Sequence, residues 1–237
     1  KAFSLAIDRT YIVNQVTQSG QVEAGGFVPS GVYDADGADG DDFRTVGGDY
    51  YKPTDADYEA NCDEARQLLA DAGYPNGEGF PVVEYLYNTS DAHKAVAEAL
   101  QFMWEEELGV KVTLNNQEWA AFLQTRKDGD YSIARNGWIA DYNDPISFLD
   151  MWMTGGGNND AQYANDDYDA LIKQAKTTTD NAERMDLLHQ AEDKLIGEDN
   201  VLAPLYFYTQ KYMLADGIEG MYYCPLGYFF FGYTHQA

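Results

Sequence analysis

The sequence predicts an α/β or α+β fold with mixed sheets, and three groups of patterns lead to this prediction. Residues 82–87 and 110–114 have the β-branched, aromatic or alternating character of strands, and an amphipathic helical segment separates them. Two more helical segments are expected at 166–177 and 181–196. Strand-like sequence rich in aromatic residues then dominates the part after residue 200. Helices and strands are therefore interleaved along the chain.

The chain opens with helical sequence. Residues 1–7 have the composition of the middle of a helix, and Asp8 is expected to cap a second turn that Gly20 ends. A later helix is expected to start at the capping-box pattern of 61–64 and to stop at Gly73. These two helical regions enclose a segment of different composition.

Residues 23–57 are rich in glycine, proline and aspartate, which predicts a long loop. Residues 34–42 within it form an acidic run that invites comparison with a calcium-binding EF-hand. The spacing does not fit, because the fifth position counted from Asp34 is Ala38 and no glutamate follows at the required distance. We therefore expect a solvated acidic loop that is surface variation.

A strand–helix–strand unit is predicted in the middle of the chain. The strand at 82–87 leads to a helix capped by Ser90 or Asp91, and the strand at 110–114 follows Gly109. Strands joined by a crossover helix pair in parallel, so a parallel pair with a right-handed crossover is expected. The other predicted elements are a helix at 119–127, a strand at 131–135, a helix from Pro145 and strands at 202–208, 213–214 and 228–231.

The composition limits the classes of partner. Fifteen Lys and Arg against 40 Asp and Glu give a formal net charge of −25. This charge repels phosphate backbones and anionic lipid surfaces, so we expect no nucleic-acid or membrane-surface partner. The 19 Tyr, 11 Phe and 4 Trp supply large areas to bury, which indicates a folded protein rather than a disordered acidic chain.

The sequence lacks the motifs of catalysis and of metal binding. The nucleophile elbow, the P-loop and the dinucleotide-binding fingerprint do not occur. His93, His189 and His235 are dispersed, and none has zinc spacing with a cysteine. Cys62 and Cys224 are too few for a disulfide framework and are expected to be ordinary small apolar residues. We therefore predict no enzyme, no cofactor and no metal site.

Residues 135–145 carry the richest chemistry of the chain. They follow a predicted strand and precede a predicted helix, where α/β proteins place ligand-facing residues. Arg135, Trp138, Asp141 and Tyr142 lie within eight residues and could grip a zwitterion, with Asp for an ammonium and Arg for a carboxylate. The same residues also fit a polar loop with a core tryptophan, and spacing alone leaves both interpretations open.

The pattern Arg-Asn-Gly-Trp at 135–138, followed by Asp-Tyr-Asn-Asp-Pro at 141–145, resembles the signature loop of the oligopeptide-binding proteins of ABC importers. These belong to the peptide/nickel class, family 5, of extracellular solute-binding proteins. Further segments resemble the family in the same order along nearly the whole chain, at residues 6–9, 65–74, 87–91, 93–94, 108–110, 116–119 and 204–208. Each motif is short, and their specificity comes from their combination.

The resemblance implies a periplasmic-binding-protein-like type II lobe with a mixed sheet and flanking helices. Such proteins close two lobes around a ligand. Residues 1–205 would form the second, C-terminal lobe, and residues 206–237 would be return strands that pack on a first lobe outside this chain. Any export signal would also lie in that preceding part. We expect a periplasmic or cell-surface protein that is lipid-anchored through it.

The resemblance also implies roles for residues of the signature loop. Asp141 would pair with the α-ammonium group of a peptide, and Trp138 would form a wall of a side-chain pocket. Gly137 and Ile139 would hydrogen-bond through their backbone to an extended peptide, like an added strand. Ile139 stands where some relatives have a disulfide cysteine, so no pairing of the two cysteines is inferred by analogy.

Three basic residues are implied near the cleft. Arg135 and His93 match positions that can meet the C-terminal carboxylate of a peptide, and Arg126 matches another basic position. His93 could instead be a surface residue, and Arg126 could pair with the nearby Asp128 or Asp130. The resemblance and these alternatives predict different partners for each side chain.

The expected function is a receptor that delivers short peptides to an ABC transporter permease, without covalent chemistry. Alternatives in the same fold are a dipeptide, a glycan fragment, a nickel chelate or haem. Asp141 favours an amine over a neutral sugar, and a metal chelate would be expected to bring more histidines to the site. A cell-wall peptidase and an interaction module are the alternatives from other classes. A second lobe alone is expected to bind peptide weakly and to self-associate through exposed aromatic residues.

Overall fold

The computed structural model describes residues 1–51, 55–224 and 227–237, so Pro53 of the predicted loop lies outside the described residues. In these ranges the helices are α1 (Ala2–Leu5), α2 (Arg9–Tyr11), α3 (Phe43–Gly47), α4 (Asp55–Asp71), α5 (Asp91–Leu108), α6 (Trp119–Asp128), α7 (Ile146–Leu149), α8 (Asp166–Ala175) and α9 (Asn181–Glu192). π-helical turns continue two of them at Ile12–Thr17 and Asp193–Glu198, and 3-10 turns occupy Pro75–Gly77 and Asp150–Trp152.

The strands of the described residues are short apart from three six-residue strands. They are β1 (Val22–Glu23), β2 (Tyr33–Asp34), β3 (Gly37–Asp42), β4 (Val83–Asn88), β5 (Val112–Gln117), β6 (Ile133–Ala134), β7 (Tyr206–Phe207), β8 (Ile218–Glu219), β9 (Tyr222–Cys224), β10 (Tyr228–Phe230) and β11 (His235–Gln236). No helix in the described ranges combines the length and apolar character needed to cross a membrane.

A three-stranded parallel sheet with the order β5-β4-β6 positions the rest of the molecule. β4 and β5 pair along their full length, and α5 connects them, so the predicted strand–helix–strand unit is confirmed. β6 pairs with β4 at two positions, and the Arg135 N–H extends this pairing by donating to Leu86 O at 2.8 Å. The carboxyl ends of all three strands therefore lie at one edge of the sheet.

The remaining strand pairs are antiparallel and separate from this sheet. They join β2 to β3, β1 to β7, β9 to β10 and β8 to β11. Parallel and antiparallel pairing thus both occur, and the α/β class is confirmed. The predicted strands at 131–135, 202–208 and 228–231 are shorter than expected, because β6 and β7 each pair at only two positions and β10 at three. Residues 213–214 do not form a strand.

Helix α5 shows how the sequence sets an element's bounds. The Ser90 hydroxyl accepts a hydrogen bond from the His93 N–H at 3.5 Å and caps the first turn. Gly109 ends the helix in the left-handed region at φ +66°, a conformation that glycine adopts without steric cost. Between these caps one face is buried in the core, formed by Val96, Ala97, Leu100, Met103, Trp104 and Leu108.

The acidic run at 34–42 is a β-hairpin formed by β2 and β3, so the prediction of a solvated loop is wrong in its backbone. Asp42 accepts hydrogen bonds from backbone N–H groups on two sides, and one of them caps α3. Asp34 is buried, and its carboxylate lies 2.7 Å from His189 Nε2. Asp34 and Asp42 therefore have specific hydrogen-bond partners, a role that composition does not reveal.

Helix α4 begins at Asp55, upstream of the capping box predicted at 61–64. Cys62, Ala65 and Leu69 are buried at spacings that place them on one helical face. Asp63 lies on the outer surface and pairs with Arg66 at i,i+3. The acidic residues therefore belong to the middle of the helix and stabilise its surface instead of its first turn.

Candidate functional site

The candidate site lies at the carboxyl ends of β4, β5 and β6, and residues 135–145 leave the sheet there directly after β6. We call these residues the 135–145 loop. In open α/β sheets, ligands bind in the crevice outside the carboxyl ends of the strands. The loop leads straight into α7, whose first residue follows Pro145 as predicted.

The middle of the loop is fixed on the start of α7. The Trp138 indole Nε1 donates to the Ser147 carbonyl oxygen at 2.6 Å, and the Asp141 N–H donates to the Ser147 hydroxyl at 2.9 Å. The Trp138 ring is half-buried and packs against the core. One buried serine therefore sets both the ring orientation and the backbone at Asp141.

The end of the loop is tied to two distant segments. Arg184 of α9 forms a bidentate salt bridge with Asp144, with both nitrogen–oxygen distances at 2.8 Å. The Asn143 amide accepts from the Tyr33 N–H at 2.9 Å and donates to the Gly31 carbonyl at 3.1 Å. The loop is thereby joined to the acidic hairpin as well as to α9. Sequence reasoning missed these anchors because no local pattern links residues 40 or more positions apart.

The loop presents three different chemistries to solvent. Ile139 is 72% exposed, and Gly137 and Asp141 are exposed as well. Among the residues described by the structure, no cation pairs with Asp141 and no hydrogen bond engages the backbone of Ile139. The loop therefore offers an uncompensated carboxylate and an unpaired backbone segment, while the Gly137 N–H is already bonded to Asn136 Oδ1 at 2.8 Å.

A positive group lies at the start of the loop. The Arg135 guanidinium donates to Asn88 Oδ1 at 3.3 Å and to the Tyr208 hydroxyl at 3.4 Å, both neutral acceptors. No carboxylate pairs with Arg135 in the described part of the chain. Burial, together with the charge of Arg135, lowers the pKa of the half-buried His93 below its ordinary value. His93 thus lies close enough to Arg135 to interact with it electrostatically.

The contacts of Arg135 identify Asn88 and Tyr208 as further site residues that the sequence did not single out by role. Both lie within segments that resemble the family, at 87–91 and 204–208, which is the signal that could have found them. Gly137 lies beside them, since an added Cβ there would come within 3.3 Å of Arg135 Nη2 and 3.9 Å of the Tyr208 ring. Arg135, Gly137 and Tyr208 therefore form one surface.

Arg126 is placed differently from Arg135. Its Nε lies 2.7 Å from Asp160 Oδ2, and the side chains of the pair are only 12% and 15% exposed. An ion pair was among the predicted alternatives, but the partner is Asp160 and not Asp128 or Asp130. The sequence carried no signal for this pairing, because Asp160 lies in a loop 34 residues away.

The described residues contain no cluster of three or more histidine, cysteine, aspartate or glutamate side chains suited to a metal ion. Cys62 and Cys224 are unpaired. Burial raises the pKa of the Cys62 thiol to about 11, which keeps it protonated at neutral pH.

The structure is an α/β domain with an exposed, charged loop at the carboxyl edge of its parallel sheet. The model of the bacterial extracellular solute-binding proteins, family 5 middle region, matches residues 1–160. The chain therefore belongs to this family.

Individual relatives agree with this assignment. The chain is 38% identical over 229 residues to the dipeptide-binding protein DppE of Bacillus subtilis, covering 96% of this chain and 40% of that protein. It is 36% identical over 219 residues to the periplasmic oligopeptide-binding protein OppA of Salmonella typhimurium, covering 92% and 38%. The structure of Haemophilus influenzae OppA in complex with the peptide RPPGFSPFR matches with a TM-score of 0.78 at 29% identity, covering 92% and 41%. The chain thus spans about two fifths of the length of these relatives.

Proposed function

We propose that this chain is the second lobe of an extracellular solute-binding protein that captures oligopeptides for an ABC importer. The observation that carries the proposal is the charge arrangement of the 135–145 loop. Asp141 is exposed without a cation, and Arg135 at the other end lacks a carboxylate in the described residues. The two charges are complementary to the two ends of a peptide.

Asp141 is proposed to bind the α-ammonium group of the peptide through a charge-assisted hydrogen bond. The seven residues from Arg135 to Asp141 span at most about 20 Å when extended, which suits a ligand of a few residues. The unpaired backbone of Ile139 would pair with the peptide backbone, and the half-buried Trp138 would line an adjacent side-chain pocket. Recognition of the backbone leaves the peptide's own side chains free to vary.

Arg135 and His93 are proposed to bind the carboxylate end of the ligand. Arg135 is held loosely, by two neutral acceptors at 3.3 and 3.4 Å, and can reorient toward an anion. His93 interacts with it and would gain a proton when a carboxylate arrives, because an anion raises the pKa of a neighbouring imidazole. The shared surface with Gly137 keeps this end close to the peptide backbone.

Residues 1–205 are proposed to form the lobe that carries the 135–145 loop, and residues 206–237, which contribute Tyr208 to the site, to return to a first lobe. Support comes from residues 206–237, which we call the tail. Large apolar side chains are exposed there, among them Tyr212, Met213, Tyr222, Tyr228, Phe231 and Tyr233. Exposed apolar patches of this kind mark interaction surfaces. Closure of the two lobes around a peptide would create the form that the permease recognises in the periplasm or at the cell surface.

Titration calorimetry on the complete two-lobed protein tests the proposal with tri- to pentapeptides whose N-termini are free or acetylated. Asp141→Asn should weaken binding of the free peptides by about 2–4 kcal/mol, because a desolvated ammonium loses its counter-charge, and should leave the acetylated peptides nearly unchanged. Glu106→Gln, an exposed acid on α5, is the matched control and should change neither affinity. Equal losses for both peptide forms would refute the role of Asp141, and absence of peptide binding by the wild type would refute the function.

A further inference from the structure

Arg126 and Arg135 both lie beside the backbone of residues 135–137, but only one of them is paired with a carboxylate in the described residues. Arg126 is paired with Asp160 at 2.7 Å, and both side chains are largely shielded from water. Arg135 meets neutral acceptors alone within the described ranges. A guanidinium that is already paired with a shielded carboxylate gains little binding free energy from a second anion, because the first anion already compensates its charge. This contrast separates the two side chains by role.

Asp160 is held in place independently of Arg126. Its carbonyl oxygen accepts a hydrogen bond from the Tyr131 hydroxyl at 2.7 Å. The preceding residue, Asn159, is buried, and its amide nitrogen donates to three carbonyl oxygens, of Trp152, Met153 and Tyr163, at 2.8–3.2 Å. The backbone that carries the Asp160 side chain is therefore held by contacts in which Arg126 takes no part.

The other end of Arg126 acts on the 135–145 loop. Arg126 Nη1 donates to Asn136 Oδ1 at 2.8 Å and approaches the Arg135 carbonyl oxygen at 3.4 Å, and its guanidinium carbon stacks 5.1 Å from the centre of the Phe122 ring. Asn136 Oδ1 also accepts the Gly137 N–H at 2.8 Å. A continuous chain of contacts thus runs from Asp160 through Arg126 and Asn136 to the backbone of Gly137.

We propose that Arg126 and Asp160 are a positioning pair that fixes the backbone at Asn136 and Gly137, and that Arg126 does not bind the ligand's carboxylate. Arg135 alone of the two then determines the preference for a free carboxylate end. The ligand part of this inference rests on the proposed function, whereas the positioning of Gly137 is a property of the protein without ligand.

The test compares two forms of one tripeptide, with a free and with an amidated C-terminus, by calorimetry on the complete protein. Asp160→Asn and Arg126→Gln should each weaken both forms by a similar factor, about three- to tenfold, so that the acid-to-amide affinity ratio is unchanged. The double variant should lose no more than either single one, because both act through the same contacts. Arg135→Gln is the comparison variant and should lower affinity for the acid form only.

Two results would overturn the proposal. The first is selective loss of the acid form in Arg126→Gln, or tighter binding of the acid form in Asp160→Asn, since either would show that the Arg126 charge faces the ligand. The second comes from amide hydrogen exchange without ligand, where Gly137 should exchange several-fold faster in both variants while the Leu100 amide of α5 stays unchanged. Unaltered exchange at Gly137 would contradict positioning. If the wild type bound no peptide, the proposed function would fail while the exchange measurement still decided the role of the pair.

Discussion

At the scale of single residues, Asp141 and Asp144 lie three positions apart in one loop and have opposite roles. Asp144 accepts hydrogen bonds from both terminal nitrogens of Arg184. Asp141 is exposed and is not paired with a cation anywhere in the described ranges. Sequence spacing makes them equivalent, and only the folded chain places Arg184 beside one of them. The role of a carboxylate is decided here by a partner 40 residues away.

Removing the anchor should cost stability without changing ligand chemistry. Asp144→Asn strands the partly shielded Arg184, so we expect the free energy of unfolding to fall by about 1–3 kcal/mol. Urea unfolding of the protein measures this value. Asp141→Asn is the matched variant in the same loop and should change stability by less than about 0.5 kcal/mol. Similar losses for the two variants would contradict their assignment to different roles.

His93 should give peptide affinity a pH dependence. Its pKa in the free protein is lowered by burial and by Arg135, and a bound carboxylate would raise it. Binding then takes up a proton, so affinity should increase as pH falls through the pKa of the bound state and level off below that of the free state. Calorimetry between pH 8 and pH 5 measures this slope, with a C-terminally amidated peptide as reference. A His93→Gln variant with the same slope would remove His93 from the site.

At the scale of elements, the strand–helix–strand unit was predictable and the acidic hairpin was not. Residues 82–117 carry their own signals, since Ser90 and Gly109 mark both ends of α5 and the strands show their period. The hairpin at 33–42 depends on contacts with Asn143 and His189, which lie more than 100 residues away in the sequence. Composition alone therefore described it as a loop.

The same limit applies to the candidate site. The placement of Asp141, Trp138 and Arg135 in one loop between a strand and a helix was predictable from a compact motif. The side chains that hold Arg135, those of Asn88 and Tyr208, come from distant segments. Residue types that lie close together in the sequence could be predicted to share a loop. The contacts made by residues far apart in the sequence could not be predicted.

Gly109 provides a test of the helix end. It adopts φ +66°, and an added Cβ would lie 2.2 Å from the Asn76 carbonyl oxygen, so Gly109→Ala must strain the backbone or displace the turn at Pro75–Gly77. We expect a loss of about 2 kcal/mol or more in the free energy of unfolding. Gly79→Ala is the matched control, with φ +76° but open space around the added carbon, and should cost about 1 kcal/mol. Equal costs would show that the close approach to Asn76 does not matter.

At the scale of the whole molecule, the tail (residues 206–237) supports the proposed pairing with a further lobe. Apart from the short pairing of β7 with β1, the described tail forms only small antiparallel pairs and leaves many aromatic side chains exposed. This exposure fits the proposed lobe, whose second wall another domain would supply.

The isolated 237-residue chain should therefore behave as half of a binding protein. We expect peptide affinity weaker than about 1 mM, since the proposed first lobe would supply part of the contacts, and concentration-dependent self-association through the tail. Sedimentation velocity and calorimetry on the isolated chain measure these two properties. Micromolar peptide binding by a monomeric isolated chain would contradict the division into lobes.

A crystal structure of the complete protein with a bound tripeptide tests whether a peptide lies along the 135–145 loop with its ammonium group at Asp141. We expect the peptide nitrogen within about 3 Å of the Asp141 carboxylate and a backbone hydrogen bond at Ile139. A peptide whose ammonium group is bound by another carboxylate, or that lies away from this loop, would contradict this expectation.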